Sequence, residues 1–164
     1  MFYDIPMKKN SHSPVSITVD PSWRIGIVHS TYYKEEIDGL VEGARGVFSA
    51  MGISEKNISL HPVPGSFEIP LIGAALAKAK KVDALIGFGI IVEGETYHAK
   101  LLADQVARGI MDVQVQLQVP FAFEVLSVHS LEQARARCFG DASKGREAAS
   151  AVLHSLAELK RIFS

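Results

Sequence analysis

DALIGFGIIVEGETYH, residues 83–98, is the stretch from which the fold can be worked out. The run from Ala84 to Ile91 is apolar throughout, which is typical of a strand covered on both faces. Gly94 then permits a tight turn, and apolar residues at helical spacing follow the polar residues behind it. A buried strand followed at once by a helix predicts a parallel sheet with helices on either side.

The rest of the chain repeats this alternation of strand and helix. Three more segments have the composition of strands: RIGIVH (24–29), NISLHPV (57–63) and FAFEVLSV (121–128). The segments between and after the strands have apolar residues at helical spacing, closing at Gly52 in the first helix and opening at Ser130 in the fourth. The pattern predicts a three-layer α/β/α sandwich around a four-stranded parallel sheet of order 2-1-3-4, with right-handed crossovers.

The segment YHAKLLADQVARGIMDVQVQLQV (97–119) is compatible with either a strand at its end or one long helix. Its tail DVQVQLQV (112–119) alternates with period two, as an exposed strand does. The longer pattern is a helical stripe, which we prefer because such a pattern rarely arises by accident. The stripe consists of Leu102, Val106, Ile110, Val113 and Leu117.

The N-terminal segment differs in composition from the rest of the chain. Residues 1–22 are rich in proline and polar residues and are expected to form an N-terminal arm. Its alternating segment PVSITV (14–19) is suited to pair as a strand with a sheet edge of its own or a neighbouring subunit. Residues 23–164 are expected to form a single domain.

Composition excludes several classes of protein. The chain has 17 Lys+Arg and 18 Asp+Glu, a formal net charge of -1, so no overall field attracts nucleic acid or an anionic membrane. No long apolar run follows a basic start near the N-terminus, so no secretory signal is expected, and no run approaches the ~20 apolar residues of a membrane span. The single cysteine, Cys138, excludes an internal disulfide and is expected to be buried. A cytoplasmic location is expected.

Ligands of such sheets bind beyond the carboxyl ends of the strands, where the strand order reverses. For the order 2-1-3-4, this point lies between strands one and three. Three polar loops fall there: HSTYYK (29–34), HPVPGSFE (61–68) and VEGETYH (92–98).

The third of these loops has the features of an anion site. Glu95 and Thr96 are expected at the start of a helix, whose free backbone N–H groups attract anions such as phosphate. His98, expected one turn inside, is placed to exchange a proton with a bound molecule, since histidine titrates near neutrality. An alternative is that Thr96 only caps the helix and His98 is a surface or packing residue.

Two other clusters have both a functional and a purely structural interpretation. In VPGSFEIP (63–70), Ser66 is expected to cap a helix whose first turns contain Pro70, and a well-capped helix explains most of the segment. Arg137 and Lys144 flank CFGDAS (138–143) and are suited to hold an anion, or are solvated surface charges.

Metal binding is a rival hypothesis. His29, His61 and His129 each fall at the carboxyl end of a predicted strand, as His98 follows the third. Four imidazoles in that arrangement would be a zinc or iron site. No HxH or HxxxH pair is present and no acid is clearly poised as a ligand, so no metal is expected.

Five segments, in order and spacing, resemble those of one known family. They are RIGIVHSTYY (24–33), VPGSFEIP (63–70), GFGIIVEGETYH (87–98), VPFAFEVLSVHSLEQARAR (119–137) and SKGREAA (143–149). The family is 6,7-dimethyl-8-ribityllumazine synthase, the penultimate enzyme of riboflavin biosynthesis, whose fold is flavodoxin-like. The resemblance implies condensation of 5-amino-6-(ribitylamino)uracil with 3,4-dihydroxy-2-butanone 4-phosphate, with release of phosphate and water and without a metal or redox cofactor.

The resemblance also implies roles for the pyrimidine side of the site. Tyr32 takes the position of the aromatic residue that stacks on the pyrimidine ring. Ser66, Phe67 and Glu68 hold the pyrimidine substrate, with Glu68 towards its ribityl hydroxyls. The backbone of the end of the third strand contacts the ring edge, at Ile90, Ile91 and Val92.

On the phosphate side, the resemblance implies that Glu95 and Thr96 offer backbone amides to the substrate phosphate and that His98 shuttles protons as the catalytic residue. Phe123 and Arg137 reach the site from the adjacent subunit, with Lys144 close by. Glu147, one helical turn after Lys144, is expected to orient Arg137.

A site shared in this way implies a homo-oligomer, a pentamer or a multiple of pentamers up to an icosahedral capsid. Two alternatives remain at this point. One is a non-catalytic flavin-binding or cage-forming module of the same fold, and the other is a divergent riboflavin-forming relative.

Overall fold

The computed structural model describes residues 16–164, in which four parallel strands form one sheet. The strands are β1 (Ile25–Ser30), β2 (Ile58–Val63), β3 (Ala84–Val92) and β4 (Phe121–Val128). Their order is β2-β1-β3-β4. Both the parallel sheet and the predicted order 2-1-3-4 are confirmed.

Between residues 16 and 164, five helices cover the two faces of the sheet. They are α1 (Lys34–Ala50), α2 (Ile69–Lys78), α3 (His98–Leu117), α4 (Leu131–Cys138) and α5 (Lys144–Phe163). Short 3-10 turns lie in three of the loops, at Glu55–Asn57, Ser66–Glu68 and Gly140–Ala142. The predicted three-layer sandwich is therefore confirmed.

The sheet separates two apolar cores. One lies under α1, α4 and α5 and contains Phe48, Phe88 and Leu153, and the other lies under α2 and α3 and contains Ile110 and Phe121. All eight residues from Ala84 to Ile91 are buried, because β3 runs through the middle of the sheet and has a core on each side. This is the physical origin of the apolar run.

The ambiguous segment is a helix along its whole predicted stripe. Val106 and Ile110 are buried on the inner face of α3. Three more residues of the stripe are partly buried against the same core: Leu102, Val113 and Leu117. The helix ends at Leu117, and Gln118 takes the left-handed conformation (φ 54°) before Pro120. The strand interpretation of residues 112–119 is wrong, because the long stripe has a core to pack against.

The predicted helix ends are mostly confirmed. Gly52 takes a left-handed φ of 84°, and the Ser130 hydroxyl accepts a hydrogen bond from the Gln133 N–H at 3.3 Å. Ser66 is not the expected cap. It lies inside the 3-10 turn, is buried, and stands directly over Gly89, where any side chain would collide with its hydroxyl. Pro70 does lie at the start of α2.

Most of the predicted N-terminal arm, residues 1–15, lies outside the described residues. The described part of PVSITV, residues 16–19, is not in a strand, although Ile17 is buried against the core. Cys138 is buried, as predicted, and burial raises the pKa of its thiol to about 11. Between residues 16 and 164, none of the helices has the length and apolar character needed to cross a membrane.

Candidate active site

The three polar loops meet at the carboxyl ends of the strands. The loop after β1 is tied to the loop after β2, because the Thr31 N–H donates to the Val63 carbonyl at 3.0 Å and its hydroxyl donates to the Pro64 carbonyl. The loop after β2 in turn borders the start of α3. A cleft of about 440 Å³ lies between them. Its walls are Gly65, Ser66, Phe67, His98, Leu101, Leu102 and Gln105.

His98 lies at the mouth of this cleft. It is the first residue of α3, not one turn inside as predicted, and its side chain is exposed. The expected position is wrong because the turn after β3 is longer than expected and delays the helix to His98. An exposed imidazole on a regular helix can reach a molecule in the cleft without any change of the backbone.

The start of α3 has no side-chain cap. Glu95 and Thr96 are exposed in the turn before the helix, and the N-cap position belongs to Tyr97, which makes no capping hydrogen bond. The alternative in which Thr96 caps the helix is therefore wrong. Backbone N–H groups at an uncapped helix start favour negative charge, which suits a phosphate there.

The aromatic residues beside the cleft are unusually exposed. Tyr32 is 66% exposed and Phe67 is 63% exposed, although both are large and partly apolar. The Tyr32 ring lies next to Gly65, and its backbone N–H donates to the Ser30 hydroxyl at 3.1 Å. Two exposed aromatic rings on adjacent loops provide flat surfaces for a planar ligand.

The Glu68 carboxylate is held in place by the backbone. Its Oε2 atom accepts a hydrogen bond from the Gly65 N–H at 2.9 Å, which closes the 3-10 turn between β2 and α2. The sequence predicted that Ser66 would accept the hydrogen bond that caps this helix start. Glu68 accepts a hydrogen bond there instead, and its carboxylate is thereby fixed next to the cleft.

The end of β3 has an unpaired edge towards the cleft. Pairing between β1 and β3 stops at His29 and Phe88, whereas pairing between β3 and β4 continues to Val92 and Val128. Within residues 16–164, the backbone of Gly89–Val92 therefore has no strand beside it on the β1 side. Ile90 and Ile91 are buried and Val92 is half-buried.

A second set of predicted residues lies apart from this cleft. Phe123 is an exposed residue of the edge strand β4, and Arg137 is exposed on α4, where its Nη1 atom donates to the Gln133 carbonyl at 2.7 Å. Lys144 begins α5 and forms an ion pair with Glu147. None of these residues lines the cleft next to His98 in the described part of the chain. Glu147 contacts Lys144 and not Arg137, so its expected role is wrong.

Sequence reasoning missed several groups. Leu101, Leu102 and Gln105 follow His98 at helical spacing, and this spacing is the signal that could have found them. Glu124 was also missed. Burial raises the pKa of its carboxyl to about 7, with Lys144 lowering the pKa and Glu147 raising it.

The four histidines do not form one cluster, although His29 lies close enough to His61 to affect its pKa. His129 Nδ1 lies 2.9 Å from the Glu93 carboxylate, His61 Nε2 lies 2.9 Å from the Ser59 hydroxyl, and His29 Nδ1 lies 3.2 Å from the Ser30 carbonyl. Burial lowers the pKa of His61 and His29 lowers it further, which makes the imidazole less readily charged. Within residues 16–164, no three His, Cys, Asp or Glu side chains are grouped so that they could hold a metal ion.

An open cleft at the carboxyl edge of a parallel sheet, lined by Ser66, His98 and Gln105 among apolar residues, is typical of α/β proteins that bind small molecules there. The sequence of the chain matches one family within this class of protein. The sequence model of the 6,7-dimethyl-8-ribityllumazine synthase family matches residues 22–160. The chain belongs to this family.

Individual relatives agree. The 6,7-dimethyl-8-ribityllumazine synthase of Methylobacillus flagellatus is 37% identical over 149 residues, which covers 89% of this chain and 98% of the relative. The protein of the same description from Stenotrophomonas maltophilia strain K279a is 37% identical over 153 residues, 93% of this chain and 99% of the relative. That of Paracidovorax citrulli is 41% identical over 125 residues, 76% and 79% of the two chains.

Proposed function

We propose that this protein is an enzyme that condenses 5-amino-6-(ribitylamino)uracil with 3,4-dihydroxy-2-butanone 4-phosphate. The products are 6,7-dimethyl-8-ribityllumazine, phosphate and water, and the reaction is the penultimate step of riboflavin biosynthesis. The observation that carries the proposal is family membership across residues 22–160, together with a cleft whose mouth holds His98. Neither a metal nor a redox cofactor takes part in the proposed reaction.

The pyrimidine substrate occupies the side of the cleft next to β1 and β2. Its planar ring stacks on Tyr32, and Ser66 and Phe67 line its position. Glu68 accepts hydrogen bonds from the ribityl hydroxyls with a carboxylate already oriented by Gly65. The polar ring edge pairs with the free backbone groups of Ile90, Ile91 and Val92, as a neighbouring strand would.

The phosphate of the second substrate occupies the uncapped start of α3. In the proposed complex, the backbone N–H groups of Glu95 and Thr96, in the turn before the helix, donate to the anion, and the helix dipole favours its charge. This position is beside His98, so the carbon chain of the butanone extends from the phosphate into the cleft.

His98 moves protons between the two substrates. The amine of the uracil attacks the ketone carbonyl, and the carbinolamine then loses water to form an imine. His98 gives a proton to the leaving oxygen and later takes one from carbon as the phosphate leaves. The enol left by this elimination becomes a ketone, which the ribityl-substituted nitrogen attacks, and loss of a second water closes the ring. Its place at the first residue of α3, on the wall of the cleft, supports this role of His98.

The active site is completed by a second copy of the chain. Phe123, Arg137 and Lys144 lie outside the cleft of their own chain, and in the proposed homo-oligomer they reach the cleft of the neighbour. Arg137 grips the phosphate with a two-pronged guanidinium, and Lys144 adds a second positive charge. We propose a pentamer or a multiple of pentamers as the assembly.

An exposed apolar surface supports assembly. The outer faces of α2 and α3 have four large apolar side chains that are 53% to 68% exposed, an arrangement that usually marks an interface with another protein. They are Leu71, Leu101, Met111 and Val115.

The proposed reaction has a direct test. Purified protein is mixed with both substrates, and the lumazine chromophore and free phosphate are measured together in one sample. Equal amounts of lumazine and phosphate, absent when either substrate is omitted, are expected. A protein that binds riboflavin and forms no lumazine is a flavin-binding module, and that result would contradict the proposal.

A further inference from the structure

Arg135 forms an ion-pair cluster between α4 and the first turn of α1. Its Nη2 atom lies 2.7 Å from the Glu35 carboxylate, and its Nη1 atom lies 3.2 Å from the Glu36 carboxylate. The three residues are called the α1–α4 clamp below. The Glu36 side chain is only 5% exposed, which is rare for a carboxylate unless a partner holds its charge.

The helix α4 has a narrow contact with the rest of the chain. It has eight residues, and only Ala134 and Cys138 are buried, one turn apart on the same side. At its end, the Phe139 ring packs so closely on α1 that a Cβ at Gly39 would come within 2.5 Å of it. Leu131, partly buried against the same core, extends this contact along one side of the helix, so contacts on the flanks of α4, such as ion pairs, resist a roll about the helix axis.

The clamp lies on one flank of this contact and Arg137 on the other. Two residues advance ~200° around an α-helix, so Arg135 and Arg137 point to opposite sides of the line through Ala134 and Cys138. Arg137 is further tied to its own helix by the bond to the Gln133 carbonyl. Any roll of α4 is therefore transmitted directly to the guanidinium of Arg137.

We infer that Arg135, held by Glu35 and Glu36, is a positioning residue that sets the direction of Arg137. This inference rests on the proposed function, in which Arg137 binds the phosphate of the butanone substrate. The clamp does not touch substrate. It fixes the angle of α4, so that Arg137 meets the phosphate of the neighbouring active site without first paying for an ordering step.

The variants separate positioning from simple stability. Arg135→Met removes the guanidinium and leaves Glu36 buried without its partner, which by itself destabilises a protein. Glu36→Gln with Arg135→Met removes both charges and so avoids that cost. Arg135→Lys keeps the positive charge but loses the two-pronged guanidinium that contacts both Glu35 and Glu36. Arg45→Met is the matched control, because Arg45 also joins two carboxylates on α1 and its loop, Glu42 and Glu55, far from α4.

Two properties are measured on the assembled protein. Calorimetry gives the dissociation constant of inorganic phosphate, and steady-state kinetics give the KM of each substrate. Arg135→Met and the double variant are expected to raise the phosphate dissociation constant and the KM of the butanone phosphate about 10-fold, because a small misplacement of a binding group is costly. The KM of the pyrimidine substrate and all constants of Arg45→Met are expected to stay within about twofold of wild type.

The outcomes are distinct. A double variant that binds phosphate as wild type does overturns the inference, whatever its melting temperature. Partial recovery of phosphate affinity in Arg135→Lys supports it, since a purely structural defect would lower the affinity for both substrates. Failure of the proposed function gives a different result: wild-type protein forms no lumazine, while its phosphate affinity still responds to the clamp.

Discussion

At the level of single residues, the proposed role of His98 in proton transfer depends on its position as the first residue of α3. The backbone of a regular helix fixes the root of the side chain, while the imidazole itself is exposed at the cleft. His98→Ala is expected to lower kcat about 100- to 10,000-fold, the typical contribution of a positioned acid or base. The KM values should change little, because the imidazole contributes to proton transfer more than to binding.

Steady-state kinetics with both substrates measure this effect. His61→Ala is the control, since His61 lies on the edge strand β2, is hydrogen-bonded to Ser59 and does not line the cleft. An unchanged kcat in His98→Ala would remove His98 from the proposed mechanism.

Glu124 is the second single residue for which we make a prediction, which concerns the pH dependence of stability. It lies on β4 opposite the fully buried Phe88, and burial raises its pKa from the ordinary 4.5 to about 7. The native protein thus keeps a proton there that the unfolded chain loses near pH 4.5. Unfolding releases this proton between pH 4.5 and 7, so stability falls as the pH rises through that range and is level above it.

Glu124→Gln removes the titrating group and keeps the shape of the side chain. The variant should be as stable as wild type near pH 4.5 and more stable at pH 8, by up to about 3 kcal/mol. Urea unfolding at pH 5, 6, 7 and 8, at one protein concentration, measures the difference. A difference that does not change with pH would show that Glu124 is already ionised in the native protein at pH 5.

At the level of helices, Gly145 allows α1 and α5 to approach each other closely. Gly145, in the first turn of α5, faces the backbone of α1, and a side chain there would collide with the Leu40 carbonyl oxygen. Gly145→Ala is therefore expected to lower the free energy of unfolding by about 3 kcal/mol or more, because neither helix can move away without opening the core.

Gly46→Ala is the matched control for this substitution. Gly46 is exposed on α1, and a Cβ there meets only the end of the Arg146 side chain, at 3.8 Å. Alanine at an open helical position should raise the free energy of unfolding by about 0.5–1 kcal/mol. Urea unfolding of both variants tests the contrast, and equal effects would mean that the helices adjust freely.

The elements were predictable where a periodic pattern is long. β3 shows its burial in eight apolar residues, and α3 shows its face in a stripe of five, so both follow from side-chain spacing alone. The start of α3 and the role of Ser66 were not predictable. Both depend on how the chain turns after a strand, and for β2 that turn is closed by a bond between Glu68 and Gly65, which periodicity does not encode.

The same limit applies to the clamp and to Glu124. Arg135 and Glu36 are 99 residues apart in sequence, and nothing in either segment indicates that they form an ion pair. Glu124 is part of an alternating strand, and its pKa depends on which helix covers that face. Long-range pairing of polar groups is set by the packed structure, so it becomes visible only with coordinates.

At the level of the whole molecule, the exposed apolar surface on α2 and α3 and the position of Arg137 away from its own cleft have one common explanation. If copies of the chain associate through that surface, its apolar side chains are buried and each cleft can obtain the groups that its own chain does not supply. In that case catalysis requires assembly, and a substitution far from the cleft should abolish activity.

Met111→Glu tests this dependence. Met111 is on the outer face of α3 and does not line the cleft, so a carboxylate there leaves the fold of one chain intact but places an unpaired charge in the proposed interface. Light scattering should show monomers, circular dichroism should show unchanged helix content, and kcat/KM should fall by about 100-fold or more, since the positioned phosphate-binding groups are lost. Ile162→Glu, at an exposed apolar residue near the end of α5, should leave the assembly and the activity unchanged. A monomeric Met111→Glu protein with full activity would mean that one chain contains the whole active site.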